Sequence, residues 1–294
     1  MTPAPRGNTM KTPPLSLGDF QIYWLNGGNF RLDGGTMFGA VPKVLWEKKC
    51  TADANNSLPF TNDVLLIKTS EHTLIIDTGL GNKLTQKQLS IFQVTSPWSV
   101  VNDLADLGLS RHDIDFVLLT HCDFDHAGGI VMHNTNGDEE LTFPNAIHYV
   151  QKTEWQDVEQ PNHRAQSTYW PENFNLLKQK GKLTVITGDH EVVPGITLRH
   201  TGGHTRGHQL VEIISNNETA VHLGDLFPTH AHSNPLWIMA YDNFPLKVID
   251  RKEEYFNHYQ QLDSWFTFYH DPQVKACKLD EHNHITLTWP PPLT

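Results

Sequence analysis

Apolar and polar positions along the chain fall into short strand-like runs punctuated by glycine loops. Residues 20–25 and 64–69 are apolar and β-prone, and a further run over 73–79, Thr-Leu-Ile-Ile-Asp-Thr-Gly, follows a short polar turn. Together they predict a hairpin that ends in a glycine loop. Val100, Leu104 and Leu107 share one helical face, which predicts a helix with Ser99 as its N-cap and Gly108 as its stop. Residues 115–120, Asp-Phe-Val-Leu-Leu-Thr, are a continuous apolar run of the kind a strand buried on both faces requires. Strand-like runs recur at 183–187, 196–200, 210–215 and 220–223, a charged helical stretch covers about 250–262, and 265–269 and 285–289 are strand-like again. The segment 151–182 breaks this rhythm with Trp155, His163, Tyr169, Trp170 and Pro171 among polar residues, and reads as a lid, a pocket wall or a packed surface excursion.

Strands in two groups, each followed by a helix, predict an α/β architecture of two packed sheets with helices outside. No short repeat, low-complexity tract or Gly/Ser linker divides the chain. A single domain over 19–294 is therefore expected, after a flexible lead-in over 1–18. Residues 1–14 are rich in Pro, Thr and Lys and lack the apolar stretch of a signal peptide or anchor, so a cytoplasmic protein with no membrane partner is expected.

Composition narrows the partners. With 38% hydrophobic residues there is material for a sizeable core, and a net charge of −11 argues against nucleic acid, which attracts clustered Lys and Arg. Cys50, Cys122 and Cys277 are far apart and odd in number, which suits a reducing compartment. Eighteen histidines direct attention to clusters.

Four clusters emerge, each just past an apolar run. His121-Cys-Asp-Phe-Asp-His126 is followed by Ala127-Gly128-Gly129, where glycines permit a tight backbone. Thr201-Gly-Gly-His-Thr-Arg-Gly-His208 lets a loop carry the His204 imidazole towards another loop. Val221-His-Leu-Gly-Asp225 places a carboxylate at a strand end, and Phe268-Tyr-His270-Asp-Pro272 places a histidine there. Any one alone is a common turn feature. Their shared placement at strand-to-loop junctions is what makes a joint metal site the better reading, because one sheet edge can gather them.

In this order the motifs, with Asp77 before its glycine loop, resemble the metallo-β-lactamase superfamily from about residue 20 onwards. The phrase Gly203–Gln209, Gly-His-Thr-x-Gly-His-Gln, and the later Tyr-His-Asp-Pro resemble its N-acyl homoserine lactonase branch. The phrases at 34–42, 227–232 and 234–237 are similar to a quorum-quenching subgroup typified by the YtnP proteins. The resemblance implies an αββα four-layer sandwich with two divalent metal ions along one edge. One metal would be held by His121 and His204, the other by Asp125, His126 and His270, with Asp225 bridging them and Asp77 orienting ligands from behind. It also implies a hydrolase that opens lactones such as N-acyl homoserine lactones by attack of a hydroxide shared between the metals, with Asp125 relaying a proton to the leaving oxygen. The implied partner is a small-molecule lactone or ester, and a homodimer is an admissible assembly.

Two positions depart from the family phrases. Asp123 stands where His-x-His-x-Asp-His has its second histidine. A carboxylate there either ligates, moving preference from zinc towards manganese or iron, or turns away. Pro228 stands where many lactonases of the branch carry a tyrosine, leaving His230, Tyr241 or a metal to stabilise an oxyanion. The tryptophans and phenylalanines near Trp155, Trp170 and Trp237 are candidates for an acyl-chain wall, although buried aromatics more often serve packing. Competing expectations are a phosphodiester, thioester or carboxylester hydrolase on the same scaffold, and a metal-depleted binding protein. A flavin-linked redox enzyme is the third, and it calls for a flavin module for which the chain, ending at Thr294, leaves no room.

Overall fold

Along the strand Ser57–Lys68, Val64 and Leu66 point to one face and Leu65 and Ile67 to the other, and all four are fully buried. A strand apolar on both faces needs a layer on each side. The computed structural model, which describes residues 12–291, supplies both. Leu65, Ile67, Leu74, Ile76 and Leu118 pack against Leu198, Val211, Ile213 and Ala220 of a second sheet. Val64, Leu66, Ile75 and Val117 pack outwards on Val100 and Leu104 of a helix and on Phe174 and Leu177. Beyond the second sheet, Leu210, Val221 and Phe266 pack on Val248, Phe256 and Tyr259 of the helix Pro245–Gln261. The result is the four-layer α/β sandwich, helix, sheet, sheet, helix.

Each of these two sheets has seven strands, and Val131–His133 pairs with Glu139–Leu141 as a separate two-stranded ribbon. The first runs Leu15–Leu17, Phe20–Asp33, Ser57–Lys68, Thr73–Ile76, Phe116–Leu118, Ile147–Gln151, Leu183–Ile186. The second runs His190–Val193, Ile196–His200, Gln209–Ser215, Glu218–His222, Trp265–Thr267, Ala276–Leu279, Ile285–Trp289. Most neighbours are antiparallel. The parallel pairs position the site: Thr73–Ile76 beside Phe116–Leu118 beside Ile147–Gln151 in the first sheet, and Glu218–His222 beside Trp265–Thr267 in the second. Parallel strands need crossover connections, here carrying the helices Val100–Asp106 and Pro245–Gln261, and their carboxyl ends emerge together. Asp77, His121, Asp225 and His270 all follow such ends.

Several expectations are corrected in detail. Within the expected lead-in, residues 1–11 lie outside the described residues, while Leu15–Leu17 is a strand paired with residues 20–22. The helix Val100–Asp106 starts after Ser99 and stops at Gly108, φ 74°, as expected, but Ser99 makes no side-chain cap bond; its hydroxyl faces Asp103 and Asn26 instead. The segment 151–182 is built of the helices Lys152–Glu159 and Asn175–Gln179 with 3-10 turns between. Ala276–Leu279, Ile147–Gln151 and His190–Val193 are strands that the apolar pattern did not single out, because each is short or half polar. Among the described residues, no helix is long and apolar enough to cross a membrane.

Candidate metal centre

The polar side chains at these strand ends converge. His121 leaves the first sheet after Phe116–Leu118, and the one-turn helix Phe124–Ala127 presents Asp125 and His126. His204 comes from the loop joining Ile196–His200 to Gln209–Ser215, Asp225 from the 3-10 turn Gly224–Leu226, and His270 from the end of Trp265–Thr267.

Their donor atoms form two sets. In the first, Asp123 Oδ2 lies 3.5 Å from His121 Nε2 and 3.6 Å from His204 Nε2, and Asp225 Oδ2 lies 3.4 Å from His204 Nε2. In the second, Asp125 Oδ2 lies 3.8 and 3.7 Å from Nε2 of His126 and His270, and Asp225 Oδ1 lies 3.4 and 3.3 Å from the same nitrogens. Donors about 2.1 Å from a tetrahedral centre stand about 3.4 Å from one another. Asp225 thus offers one oxygen to each of two ion-sized donor sets. Asp123 faces its neighbours rather than turning away, so both sets contain two imidazoles and two carboxylates.

Fixed acceptors decide which nitrogen each imidazole offers. Asp77 Oδ2 accepts from His126 Nδ1 at 2.9 Å, Asp242 Oδ1 from His204 Nδ1 at 2.8 Å, and the Thr61 carbonyl from His270 Nδ1 at 2.9 Å. The Thr120 hydroxyl donates to Asp77 Oδ2 at 2.7 Å, so towards His121 Nδ1, 3.0 Å away, its oxygen accepts. All four rings therefore carry their proton on Nδ1 and turn Nε2 inwards. His121 Nε2, His204 Nε2 and Asp225 Oδ1 are buried without a hydrogen-bond partner, and His126 and His270 hold their Nε2 atoms 3.3 Å apart. Facing lone pairs repel unless a positive charge lies between them. This donor set fits two divalent cations.

Electrostatics agree. Burial opposes charge on His126, yet Asp225, Asp125 and Asp77 push that imidazole well above the usual histidine range. His204 is pushed up likewise, burial being outweighed by Asp225, Asp123 and Asp242. Burial would raise the Asp225 carboxyl, but His126, His270 and His204 hold it well below the usual carboxylate range. The carboxylates demand positive charge at the inward nitrogens.

Three positioning residues escaped the sequence reading. Asp242 sits in no recognisable motif. His208 accepts the Asp225 N–H on Nε2 at 3.2 Å, holding the turn that carries the Asp225 carboxylate; its place in the Gly-His-Thr-x-Gly-His phrase was the available signal. Glu154 is fully buried in the first turn of Lys152–Glu159. One oxygen accepts from Cys122 N–H at 2.8 Å and Tyr169 O–H at 2.6 Å, the other from Thr205 O–H at 2.7 Å and Gly207 N–H at 3.1 Å. It ties the loop of His121 to the loop of His204. Gly128 and Gly129 serve close approach rather than an unusual turn: a methyl on Gly129 would collide with the Thr78 carbonyl oxygen, and one on Gly128 with that of Leu80.

A cavity of ≈ 300 Å³ opens over the centre, lined by Asp123, Asp125 and Asp225 below and by Phe30, Phe92 and Phe124 at the side. Arg164, Ala165, Ser167 and Thr168 bring the 151–182 segment to its rim, so that segment is in part a pocket wall. The three tryptophans do not line it. Trp170 stacks behind Phe124 at 4.8 Å, Trp155 meets Phe174 edge-on at 5.9 Å and Trp237 meets Phe38 edge-on at 5.8 Å.

Fold and site together define a two-sheet sandwich with paired sets of imidazole and carboxylate donors at one edge. The sequence profile of the metallo-β-lactamase superfamily matches residues 58–272, and the chain belongs to that superfamily. An N-acyl homoserine lactonase of Bacillus sp is 30% identical over 155 residues, 49% of this chain and 54% of that protein. The lactonase AiiA of Bacillus thuringiensis subsp. kurstaki is 30% identical over 167 residues, 53% of this chain and 59% of the relative. The chain thus spans little more than half the length of these curated relatives. A solved structure of a "probable metal-dependent hydrolase" from Staphylococcus aureus superposes with a TM-score of 0.89 at 42% identity, covering 94% of this chain and 98% of its own. The dizinc quorum-quenching lactonase AidC shares the fold, with a TM-score of 0.76 at 21% identity over 92% of this chain and 94% of its own.

Proposed function

We propose that this chain is a dinuclear metal-dependent hydrolase that opens lactone rings, with N-acyl homoserine lactones as the substrate class. The observation that carries the reading is Asp225, whose two oxygens face two tetrahedron-sized sets of donors beneath an apolar cavity. His121, His204 and Asp123 would hold one ion and His126, His270 and Asp125 the other. Bound there, divalent cations would acidify water and polarise an acyl oxygen. The lactonase names of the Bacillus relatives support the substrate class.

The chain's own residues do the remainder. Asp77, Thr120, Asp242 and the Thr61 carbonyl keep the imidazoles in one tautomer, so the donor set needs no rearrangement on loading. Asp125 borders the cavity, where its carboxylate takes the proton that water gives up and passes it to the departing ring oxygen. Phe30, Phe92 and Phe124 receive the acyl chain, and Phe124 packs on both Phe92, centroids 4.5 Å apart, and Trp170, at 4.8 Å. Two imidazoles and two carboxylates per ion suit zinc and also admit manganese or iron.

The test joins elemental analysis to a substrate panel. Two metal equivalents per chain and opening of N-hexanoyl homoserine lactone are expected. Rapid cleavage of a bis-aryl phosphate without lactone opening would reject the substrate class. Less than one metal per chain would reject the dinuclear site in favour of a binding protein.

A further inference from the structure

The floor of the cavity is made of carboxylates, which accept hydrogen bonds and cannot donate them to an oxygen that gains negative charge. Hydroxyl donors lining the cavity are Thr36, Ser167, Thr168 and Tyr241. Ser167 is committed to the Arg164 carbonyl at 3.0 Å and Thr168 to that of Ala165 at 3.3 Å. Tyr241 differs in two ways. Its ring packs edge-on against the ligand-set imidazole of His204, centroids 5.7 Å apart. Among the described residues its hydroxyl donates to the thioether of Met37, Sδ at 3.0 Å, a weak acceptor that is readily exchanged for a stronger one.

The backbone around Tyr241 is held from both sides. Ala240 N–H donates to Thr36 O at 2.9 Å, and Ala240 O accepts from Arg164 Nη2 at 2.7 Å. On the other side Asn243 N–H donates to His204 O at 2.9 Å, and Asp242 grips the His204 ring. The phenol is thus a ring held at the cavity wall beside His204, with its hydroxyl resting on a thioether. His230, the other candidate from the sequence, serves elsewhere: its Nδ1 is bound to Asp271 Oδ2 at 2.5 Å, and it lines a separate cavity of ≈ 200 Å³ with Phe38, Cys50 and Phe60.

We propose that Tyr241 is a catalytic residue whose phenol donates a hydrogen bond to the acyl oxygen of the substrate as that oxygen becomes an oxyanion. The assignment rests on the hydrolytic reading and deepens it. Water bonds through oxygen to the acyl carbon and gives up a proton, while the carbonyl π pair moves onto the acyl oxygen. Tyr241 keeps its proton throughout. When the pair returns, the bond from the acyl carbon to the ring oxygen breaks, and that oxygen takes up the proton the water lost. Lactone and water become one hydroxy acid.

Tyr241→Phe keeps the ring against His204 and removes the donor. In the metal-loaded protein, kcat for N-hexanoyl homoserine lactone and for phenyl acetate should fall by about tenfold or more, in line with the loss of one oxyanion donor, with KM changed less than about threefold. Metal content by elemental analysis should equal that of the wild type. A second arm needs no turnover: hexylphosphonate, an anionic tetrahedral oxygen probe, should bind the variant about tenfold more weakly in calorimetry. Unchanged kcat, or a loss that tracks lost metal, overturns the proposal. Should the wild type cleave neither substrate, the hydrolytic reading fails by itself. The phosphonate comparison then decides on Tyr241, and equal affinities, or binding to neither protein, overturn it.

Discussion

Glu154→Gln is the sharpest single-atom perturbation of the centre that touches no ligand. All four partners of the Glu154 carboxylate are donors: Cys122 N–H and Tyr169 O–H on one oxygen, Thr205 O–H and Gly207 N–H on the other. An amide has almost the same volume but replaces one oxygen by NH₂. Whichever side receives the NH₂, the hydroxyl there can rotate and accept, while the backbone N–H cannot. One buried N–H then faces another and a charge-assisted bond is lost, which costs about 2–3 kcal/mol. At about 2.1 cal/mol/K per residue, the 294-residue chain has an unfolding entropy near ~0.6 kcal/mol/K, so Tm should drop by about 4 °C. Because the carboxylate joins the loops of His121 and His204, metal affinity should fall as well, by about tenfold or more. Thermal melts of chelated and loaded protein, with a chelator competition titration, measure both. A variant that melts within about 1 °C of wild type and holds metal equally well would refute the idea that this carboxylate sets the distance between the loops.

Asp77→Asn should weaken chiefly the ion between His126 and His270, and Asp242→Asn the ion beside His204, each by about 10–100-fold. Stepwise metal release read by elemental analysis should show different ions lost from the two variants; loss of the same ion from both contradicts the assignment. In chelated protein, the pKa values of His126 and His204 are raised above the unfolded value. Their stabilisation is complete below about pH 6.5 and is lost as pH rises through the raised values, so Tm of chelated protein should fall as pH rises above about 6.5 while loaded protein changes little. Lys252 is buried, its ammonium is pushed down to about 7 by burial, and it donates to the carbonyls of His232, Asn234 and Trp237. The unfolded chain binds this proton more tightly, so the stability of wild type relative to Lys252→Met should increase as pH rises from about 7 to 10, and urea midpoints that run parallel would count against it.

The sequence displayed the candidate donors because metal chemistry restricts them to few residue types at strand ends, and His121, Asp125, His126, His204, Asp225 and His270 all lie where strand ends meet. The two packed sheets were legible for a related reason. Runs such as Asp115–Thr120 are apolar on both faces, and only a layered fold buries both. What stayed hidden acts at a distance along the chain. Glu154 reaches Cys122, 32 positions earlier, and Gly207, 53 positions later, and Asp242 reaches His204 across 38 positions. A lone Glu or Asp in a polar stretch looks like a solvated surface residue until the fold buries it. The tryptophans left two roles open and the fold gives them packing: Trp155, Trp170 and Trp237 are conspicuous by size, but large rings are as useful for backing a pocket as for lining one, and the smaller Phe92 and Phe124 take the lining role.

Asp123 illustrates how charge and geometry act together at this centre. An imidazole there would give the first donor set three neutral nitrogens and one carboxylate. The carboxylate instead gives both sets the same composition and raises the charge between them to three negatives, from Asp123, Asp125 and Asp225. Set against two divalent cations, the centre would keep one positive charge rather than two. Each added carboxylate strengthens attraction for the ions and lessens their power to acidify water or polarise an acyl oxygen. A neutral donor beside the centre gains in value under those conditions, since it stabilises an oxyanion without altering the charge balance. Tyr241 is placed to supply it, next to His204, the ring that shares the Asp123 carboxylate with His121.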